Sequence, residues 1–484
     1  MRPKLELLTQ EQIEAILSEA FELMHEPGLK VQCQEARALL ADHGAAIDGD
    51  VARIPEELAL QCIASVPREF DLYARGSDKP TVHYGGDAVT FDPGSSGVHI
   101  LDPDTLEHKS SIAADLARIV MVTDRLPELG AQSTAVVCND VAKDVGDLYR
   151  LFVVLLYSDK PVVTGAFSTK TTQVMIDMLA VLSGGRDKLA ERPRAVFDVC
   201  PSPPLIWSEF GAQSLIDLAR ARMPAEMISM PLAGATAPVT LLGSIVQHAA
   251  ESISGAVIHQ LANPGAPLVW GGAPAIFDMR QGTTSMGAIE TAMIDAAYVQ
   301  VGKSLGLPTH CYLGASDAKI VDAQAGLESG ITAVLGALAG VNMISGAGML
   351  DFLACFSVEK LVIDAEAIAM AFRLLAGIEQ RTPTLATEMF TGFAFKGDFL
   401  KQKVTRQLFA QEQRLPSSVI DRGSIRTWQQ GGSLDAFARA KARVKELLAR
   451  YQKPALPPEA ERELRGIVER EAKKAGMDKL PTLP

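Results

Sequence analysis

The sequence predicts an α/β protein built around a (β/α)8 TIM barrel. After about residue 115, short apolar runs alternate with long Ala-rich helical patterns, and this alternation is typical of parallel strands joined by helices. Most of the runs are apolar on both faces, as expected of a parallel sheet that is buried on both sides. No G-x-G-x-x-G turn follows the first run and no single switch point is visible, so a barrel is favoured over an open doubly wound sheet.

Residues 1–69 are expected to form an N-terminal helical segment. Two or three amphipathic helices fit this segment, with Thr9 and Gln12 spaced as a capping box and Pro55 at the start of a helix. Residues 70–114 change to short alternating runs that are broken by Gly and Asp-Pro turns. This pattern predicts a small antiparallel β segment.

Residues 115–396 are predicted to hold the barrel, and residues 397–484 a C-terminal helical extension. The last helix of the extension is expected to begin after Pro457 and Pro458 and to end at Gly476. The candidate strands of the barrel are residues 131–137, 161–167, 194–200, 225–231, 267–272, 308–314 and 341–348, with residues 387–393 for the eighth strand.

Bulk properties exclude several classes of partner. The 484 residues include 46 Lys and Arg against 58 Asp and Glu, which gives a net charge of -12, and no basic run stands out. Nucleic acid is therefore not an expected partner. The six cysteines are scattered without a C-x-x-C pair, as expected of reduced thiols in the cytoplasm. The N-terminus is periodic and charged throughout, which predicts neither a signal peptide nor a membrane span.

Several familiar chemistries find no motif in the chain. The eight histidines form no H-x-H or H-E-x-x-H pair, and His310 and Cys311 are neighbours on a predicted strand, so they point to opposite faces. No metal site is therefore predicted. The phosphate loop G-x-x-x-x-G-K-[ST], the G-x-S-x-G elbow and the kinase signature are all missing from the sequence.

The segment from Trp270 to Glu366 is the most informative part of the chain, because its apolar runs end in Gly-rich turns that carry Asp. Function is expected on such loops, at the carboxyl ends of parallel strands. Its motifs GGAPAIFDMRQGTTSMGAIETAMIDAA, SDAKIVDAQAGLESG and ISGAGMLDFLACFSVEKLVIDAE, with the later DRGSIRTWQQGGSLDAFARA, resemble the trimethylamine methyltransferase family. They are most similar to its non-pyrrolysine branch, which is similar to glycine betaine:corrinoid methyltransferase.

The resemblance implies a TIM barrel that binds a methylated amine and passes one methyl group to the Co(I) centre of a separate corrinoid protein. The corrinoid would be carried by that cognate partner, with no cofactor bound permanently to this chain. Methylamine enzymes of the family carry pyrrolysine, whereas this chain contains only the twenty standard residues. Many relatives also place histidines in the segment that is 397–409 here, where Val404 and its neighbours replace them.

The chemistry favours a quaternary amine as the substrate. A permanent cation that loses a methyl group leaves as a neutral tertiary amine and needs no general acid, so positioning and desolvation can carry much of the catalysis. No catalytic residue is therefore assigned. Glycine betaine, which would yield dimethylglycine, is the leading substrate, and proline betaine, carnitine and γ-butyrobetaine are alternatives. A barrel lyase or aldolase and a non-catalytic betaine sensor are the other classes considered.

A betaine site needs aromatic faces for the ammonium, each worth roughly 0.5 to 2 kcal/mol, and donors for the carboxylate. An aromatic residue of a barrel strand is more often core than cage, and His310 is more often a satisfied core histidine. The aromatic candidates are Phe91, Trp270, Tyr312, Phe352 and Phe356, and the polar candidates are His310, Ser316, Lys319, Gln324 and Arg280.

Two further groups of residues have alternative interpretations. Asp317, Lys319 and Asp322 lie close together, and a local ion pair or a helix N-cap explains them more simply than a site does. Gly346 and Gly348 would permit close approach of the planar corrinoid, although a tight turn would also need glycine. The helical tail and the apolar composition predict a homo-oligomer.

Overall fold

Helices and strands alternate along most of the chain in the computed structural model, which describes residues 2–391, 395 and 398–484. The α-helices are α1 (Gln10–His25), α2 (Gln34–Asp42), α3 (Glu56–Ser65), α4 (Ala113–Asp124), α5 (Gly146–Tyr157), α6 (Thr169–Ser183), α7 (Arg186–Glu191), α8 (Glu209–Ala221), α9 (Leu241–Ala262), α10 (Ile289–Ser304), α11 (Ala323–Leu338), α12 (Val358–Leu375), α13 (Thr387–Phe390), α14 (Lys403–Glu412), α15 (Ile425–Gln430), α16 (Ala436–Ala449) and α17 (Pro458–Lys474).

The strands are short, as expected of elements buried between helices. They are β1 (Leu29–Val31), β2 (Ala46–Asp48), β3 (Val51–Arg53), β4 (Glu69–Leu72), β5 (Val82–Gly85), β6 (Thr90–Pro93), β7 (His99–Leu101), β8 (His108–Ser110), β9 (Gln132–Ser133), β10 (Val162–Thr164), β11 (Ala195–Val199), β12 (Ile206–Trp207), β13 (Ala225–Ser229), β14 (Leu232–Ala233), β15 (Leu268–Gly272), β16 (Ala275–Asp278), β17 (Thr283–Ser285), β18 (His310–Cys311), β19 (Met343–Ala347), β20 (Met349–Leu350) and β21 (Cys355–Phe356).

The centre of the fold is a series of parallel strands. Strands β9, β10, β11, β13 and β15 pair in that order, and β18, β19 and β6 form a second run. A parallel bridge between Trp270 and Thr309 joins the two runs. Next to β6, the Gly130 amide donates to the Phe91 carbonyl oxygen at 2.9 Å, which brings β6 beside the start of β9. The predicted α/β class is confirmed.

Seven of the predicted strands are present, and the prediction for the eighth is wrong. Residues 387–391 contain the short helix α13, while 392 and 393 lie outside the described residues. The strand that pairs with β19 is instead β6, inside the segment predicted to be a separate antiparallel sheet. Its Asp92 and Pro93 have the composition of a turn, yet both are buried. Pro93 pairs with Ala347 beyond a break in the strand register, and proline is tolerated at such bulges.

The other predictions for the first 114 residues hold with one addition. The Thr9 hydroxyl accepts from the Gln12 amide at 3.3 Å, which confirms the capping box. Strands β4 and β5, and likewise β7 and β8, pair antiparallel as expected. The added feature is the set β1, β2 and β3, in which β1 also pairs in parallel with β12.

The hairpin of β4 and β5 covers the amino ends of the parallel strands. Its side chains pack on apolar residues that point between those strands, and we call this cluster the apolar end. Its members are Leu72, Val82, Tyr84, Ala131, Val163, Val196, Val269 and Met343.

The extension that follows residue 397 is largely helical, as predicted. Helix α16 packs on α12 and α4, and α17 packs on α5 and α6. Pro458 occupies the first turn of α17, and Gly476 takes a φ of 78° just after its end, which suits glycine. Among the described residues, no helix combines the length and the apolar composition needed to cross a bilayer.

Candidate active site at the carboxyl ends of the strands

Three carboxyl side chains meet between the parallel strands near their carboxyl ends. Asp92 comes from β6, Asp198 from β11 and Glu226 from β13, and we call them the acid cluster. Asp92 and Glu226 are fully buried. On the neighbouring strand, a Cβ on Gly271 would lie 2.8 Å from Glu226 Oε1, so this glycine leaves the room that the carboxyl group occupies.

The acid cluster is connected to two further strands. Glu226 Oε1 lies in close contact with His310 Nδ1, and the Asp198 side chain bonds to Glu226. The Ser345 hydroxyl donates to Asp92 Oδ1 at 2.7 Å, while Asp92 Oδ2 has no hydrogen-bond partner within the described part of the chain. One polar layer therefore links the ends of five strands.

Burial disfavours the ionised form of every acid in the acid cluster. It raises the pKa of Asp92, Asp198 and Glu226 well above the ordinary carboxyl value, and the proximity of Glu226 adds to the rise for Asp92 and Asp198. Burial also lowers the pKa of His310 to about 3. Burial thus favours the protonated carboxyl groups and the uncharged imidazole. A cation placed beside the cluster would favour ionisation of one acid.

Three of the sequence candidates are brought together beside this layer. The Tyr312 ring meets the His310 ring edge-on at 4.9 Å and is 8% exposed. Phe352 packs on the same small apolar cluster as Tyr312. The Lys319 ammonium lies 3.6 Å from the centre of the Phe352 ring and 3.2 Å from an Asp351 oxygen. The lysine therefore occupies an aromatic face and already has a carboxylate partner.

The other aromatic candidates lie elsewhere, which corrects their expected place in the cage. Phe91 packs edge-on against Phe372 of α12 at 5.6 Å. The Trp270 indole donates to the Tyr298 carbonyl oxygen at 3.0 Å, on the helix side of the sheet. Phe356 is fully buried in the main core. Phe91 and Trp270 differ from the cluster residues because successive side chains of a strand point to opposite faces.

Gly346 and Gly348 are needed for packing within the chain. A Cβ on Gly346 would collide with the Leu313 carbonyl oxygen, and a Cβ on Gly348 would collide with the Phe356 ring. Gly348 also has a φ of 86°. These contacts explain both glycines, so their use for corrinoid approach stays a prediction without support from the packing.

The remaining polar candidates are held in local contacts away from the acid cluster. The Ser316 hydroxyl and the Gln324 amide group both donate to Glu328 of α11, at 2.6 Å and 2.9 Å. Asp322 caps the same helix through the Gln324 and Ala325 amides, which confirms the N-cap interpretation. Arg280 is 86% exposed and paired on the surface.

A buried guanidinium that the sequence analysis did not single out lies at the same end of the strands. Arg150 of α5 is fully buried, and its Nη1 donates to Ser96 Oγ at 2.9 Å and to the Thr134 carbonyl oxygen at 3.1 Å. The guanidinium carbon lies 4.6 Å from the centre of the Phe167 ring. Nε and Nη2 have no hydrogen-bond partner among the described residues.

The missed residues share one signal, which is a charge inside an apolar run. Asp198 interrupts RAVFDVC, Glu226 interrupts AEMISMP, and Arg150 interrupts LYRLFVVLLY. Charged residues are almost never fully buried unless they are paired or functional. Asp92 was hidden by the turn-like composition of FDPG.

The arrangement suits a cation that offers no hydrogen bond. Within the described residues, no three or more His, Cys, Asp or Glu side chains are grouped so that they could hold a metal ion. The site instead presents acids that can become negative, the aromatic faces of Tyr312 and Phe352, and a buried positive group at Arg150. A quaternary ammonium is stabilised by aromatic faces and negative charge in this way.

Comparisons with known proteins agree with this chemistry. Residues 1–476 match the family Trimethylamine methyltransferase (MTTB). The trimethylamine methyltransferase of Desulfitobacterium hafniense (strain DSM 10664 / DCB-2) is 32% identical over 463 residues, which cover 95% of this chain and 93% of that protein. The glycine betaine methyltransferase of Desulfitobacterium hafniense (strain Y51) is 29% identical over 477 residues, which cover 98% of each.

The fold also resembles a solved structure. The crystal structure of the monomethylamine methyltransferase of Methanosarcina barkeri superposes with a TM-score of 0.55 at 13% identity, and the match covers 98% of this chain and 90% of that chain. This likeness concerns the fold alone.

Proposed function

We propose that this chain, which belongs to the trimethylamine methyltransferase family, moves a methyl group from a quaternary amine to the Co(I) corrinoid of a partner protein. The chain is a methyltransferase, as its named relatives are. Glycine betaine is the proposed substrate and dimethylglycine the proposed product. Proline betaine, carnitine and γ-butyrobetaine are alternatives, because they share the quaternary ammonium.

The buried acid cluster beside Tyr312 and Phe352 is the observation that carries this proposal. Burial raises the pKa values of its carboxyl groups, so negative charge at the site is disfavoured before the substrate binds. Arrival of a permanent cation would lower those pKa values and draw one acid into its ionised form. The site would thus become anionic only when its substrate is present.

The residues of the chain would position and desolvate the substrate. The partner's Co(I) supplies the nucleophile, and the amine leaves neutral, so no proton is required at its nitrogen. Tyr312 and Phe352 would hold the ammonium group by cation–aromatic contact, while the buried walls would keep water away from the methyl group. His310, uncharged and in contact with Glu226, would orient that acid.

The rim around the carboxyl ends fits a docking protein that carries the corrinoid. Phe167 follows β10, Val239 follows β14, and Met279 follows β16, and all three are exposed. Exposed apolar groups around a site favour protein contact. This rim supports the proposed partner protein.

We further propose that the parallel strands close into a (β/α)8 barrel. The bridge between Trp270 and Thr309 and the hydrogen bond between Gly130 and Phe91 support closure. The domain division at 1–69, 70–114, 115–396 and 397–484, the cytoplasmic location and the homo-oligomer stay predictions.

The test mixes the purified chain with a Co(I) corrinoid protein and one amine at a time, and follows the corrinoid absorbance. We expect conversion to methyl-Co(III) with glycine betaine and none without amine. The panel includes the three other betaines, tetramethylammonium and trimethylamine. No conversion with any quaternary amine would refute the proposal, and conversion with trimethylamine alone would refute the substrate class.

A further inference from the structure

We infer that Arg150 binds the carboxylate of the substrate, so that the site selects quaternary amines that carry an acid group. This inference rests on the proposed function and deepens it, because it names a residue that would separate betaines from simple tetraalkylammonium ions.

The fully buried Arg150 side chain has hydrogen-bond donors without partners. Its Nη1 is satisfied by Ser96 and Thr134, whereas Nε and Nη2 have no partner in residues 2–391, 395 and 398–484. An unpaired buried donor on a charged group is unfavourable. A ligand that accepts hydrogen bonds from these donors would remove that cost.

The free edge of the Arg150 guanidinium has the shape that a carboxylate needs. Nε–H and Nη2–H lie side by side on one edge of a guanidinium and point in nearly the same direction. This edge matches the two oxygens of a carboxylate and permits a bidentate hydrogen bond. The edge formed with Nη1 is already used by the protein, so the ligand chemistry is set by the edge that remains.

The acids near Arg150 do not form ion pairs with it. Asp147 accepts the Leu148 amide at 2.8 Å and the Phe167 amide at 2.6 Å, and it also bonds the Thr171 hydroxyl. Desolvation raises the pKa of Asp198, which disfavours its ionised form. None of the ion pairs among the described residues involves Arg150. The guanidinium therefore keeps its positive charge available.

Arg150 lies near the proposed ammonium site. Thr134, which it bonds, directly follows β9, and Phe167, which lies beside it, follows β10. Asp198 and Tyr312 both lie close enough to Arg150 to interact with it electrostatically. One molecule would thus reach the acid cluster with its ammonium group and Arg150 with its carboxylate.

The test measures binding by titration calorimetry with the full chain. In the wild type, we expect glycine betaine to bind at least about tenfold more tightly than tetramethylammonium or glycine betaine methyl ester, which lack the carboxylate. This comparison needs no variant. Arg150→Gln should weaken glycine betaine binding about tenfold or more and leave tetramethylammonium within about twofold, because charged hydrogen bonds are worth about 1.5 to 3 kcal/mol. Arg150→Lys should fall between.

Two results would overturn the inference: equal affinity of the wild type for the acid and its ester, or an equal loss of both ligands in Arg150→Gln. The thermal midpoint of each variant checks folding, and the wild-type comparison decides if the variants unfold. Arg150-dependent binding without methyl transfer would refute the proposed function alone. Methyl transfer from betaine and tetramethylammonium with equal efficiency would refute the inference alone.

Discussion

The two ends of the parallel strands differ in their side chains, which are apolar at the amino end and acidic at the carboxyl end. At the amino end, Leu72 and Tyr84 of the hairpin pack on aliphatic residues such as Val196. At the carboxyl end, two residues further along the same strand β11, Asp198 joins the acid cluster. The spacing of two is one repeat of a strand, so both side chains point to the same face. A single strand thus supplies stability at one end and chemistry at the other.

The two ends also contribute to the free energy of folding with opposite sign. Burial of the apolar end stabilises the fold by about 25 cal/mol for each Å² of apolar surface. Burial of the acid cluster removes carboxyl groups from water, which costs free energy when they are neutral and costs more when they are charged. Changes at the amino end should therefore alter stability, and changes at the carboxyl end should alter binding.

Between the two ends of the strands, the largest expected effect is at the apolar end. Leu72→Ala should lower the free energy of unfolding by about 3 kcal/mol, because it leaves a cavity in a fully buried cluster. Affinity for glycine betaine should stay within about twofold, by calorimetry below the unfolding temperature. Glu69→Ala, on an exposed position of the same hairpin, is the matched control and should change neither. Loss of binding without loss of stability would break the comparison.

The next effect is at the acid cluster. Glu226→Gln should reduce methyl transfer about 100-fold, because the amide cannot become negative beside the ammonium. The thermal midpoint should stay equal or rise, since an ionisable buried group is removed. Glu251→Gln is the matched control: Glu251 is also buried, but it bonds the Ser229 hydroxyl at 2.6 Å and the Leu205 amide at 2.9 Å on the helix side. It should keep activity. A fully active Glu226→Gln enzyme would remove the cluster from the site.

A smaller effect on binding distinguishes Phe352 from Phe356 of β21. Phe352→Ala should weaken binding by about 1 kcal/mol through loss of a cation–aromatic contact. Phe356→Ala should instead lower the free energy of unfolding by about 3 to 5 kcal/mol, since its ring is in the core. Calorimetry and thermal unfolding of both variants separate these roles. Unchanged affinity in Phe352→Ala would exclude its ring from the cage.

Lys319→Met tests whether this lysine binds the substrate carboxylate or only covers the Phe352 ring. The Lys319 ammonium covers the Phe352 ring, so its removal should leave glycine betaine affinity unchanged or raise it by about twofold. The sequence analysis assigned Lys319 to the carboxylate, and that role requires a loss of affinity instead. Binding isotherms of this single variant decide between the two.

The smallest expected effect is the release of a proton. Because folding raises the pKa of the acid cluster, binding of glycine betaine should release up to about one proton from the protein near neutral pH. Calorimetric enthalpies in buffers of different ionisation enthalpy measure this release. The same shift means that the cluster's stability contribution is present below the unfolded carboxyl pKa of about 4 and declines as pH rises toward the folded value. Glu226→Gln should reduce both the proton release and the pH dependence of stability. Uptake of a proton on binding would contradict the role of the acid cluster.

The sequence predicted the strands better than the site. Seven strands were identified because apolar runs and helical patterns alternate, and the Asp322 cap followed from local spacing. The strand at Phe91 was missed because its Asp-Pro sequence also fits a turn. The face to which Trp270 points could not be predicted, because a strand buried on both sides has no polar side to orient it. Arg150 needed long-range contacts that no spacing reveals.

The hairpin of β4 and β5 has a kinetic consequence under the proposed function. Since it covers the amino ends of the strands, substrate, product and partner protein must all use the opening at the carboxyl ends. The demethylated amine is then trapped beneath the docked partner until that partner departs. Turnover would follow a compulsory order, in which amine enters first and leaves last, and the amine product would compete directly with the next substrate molecule.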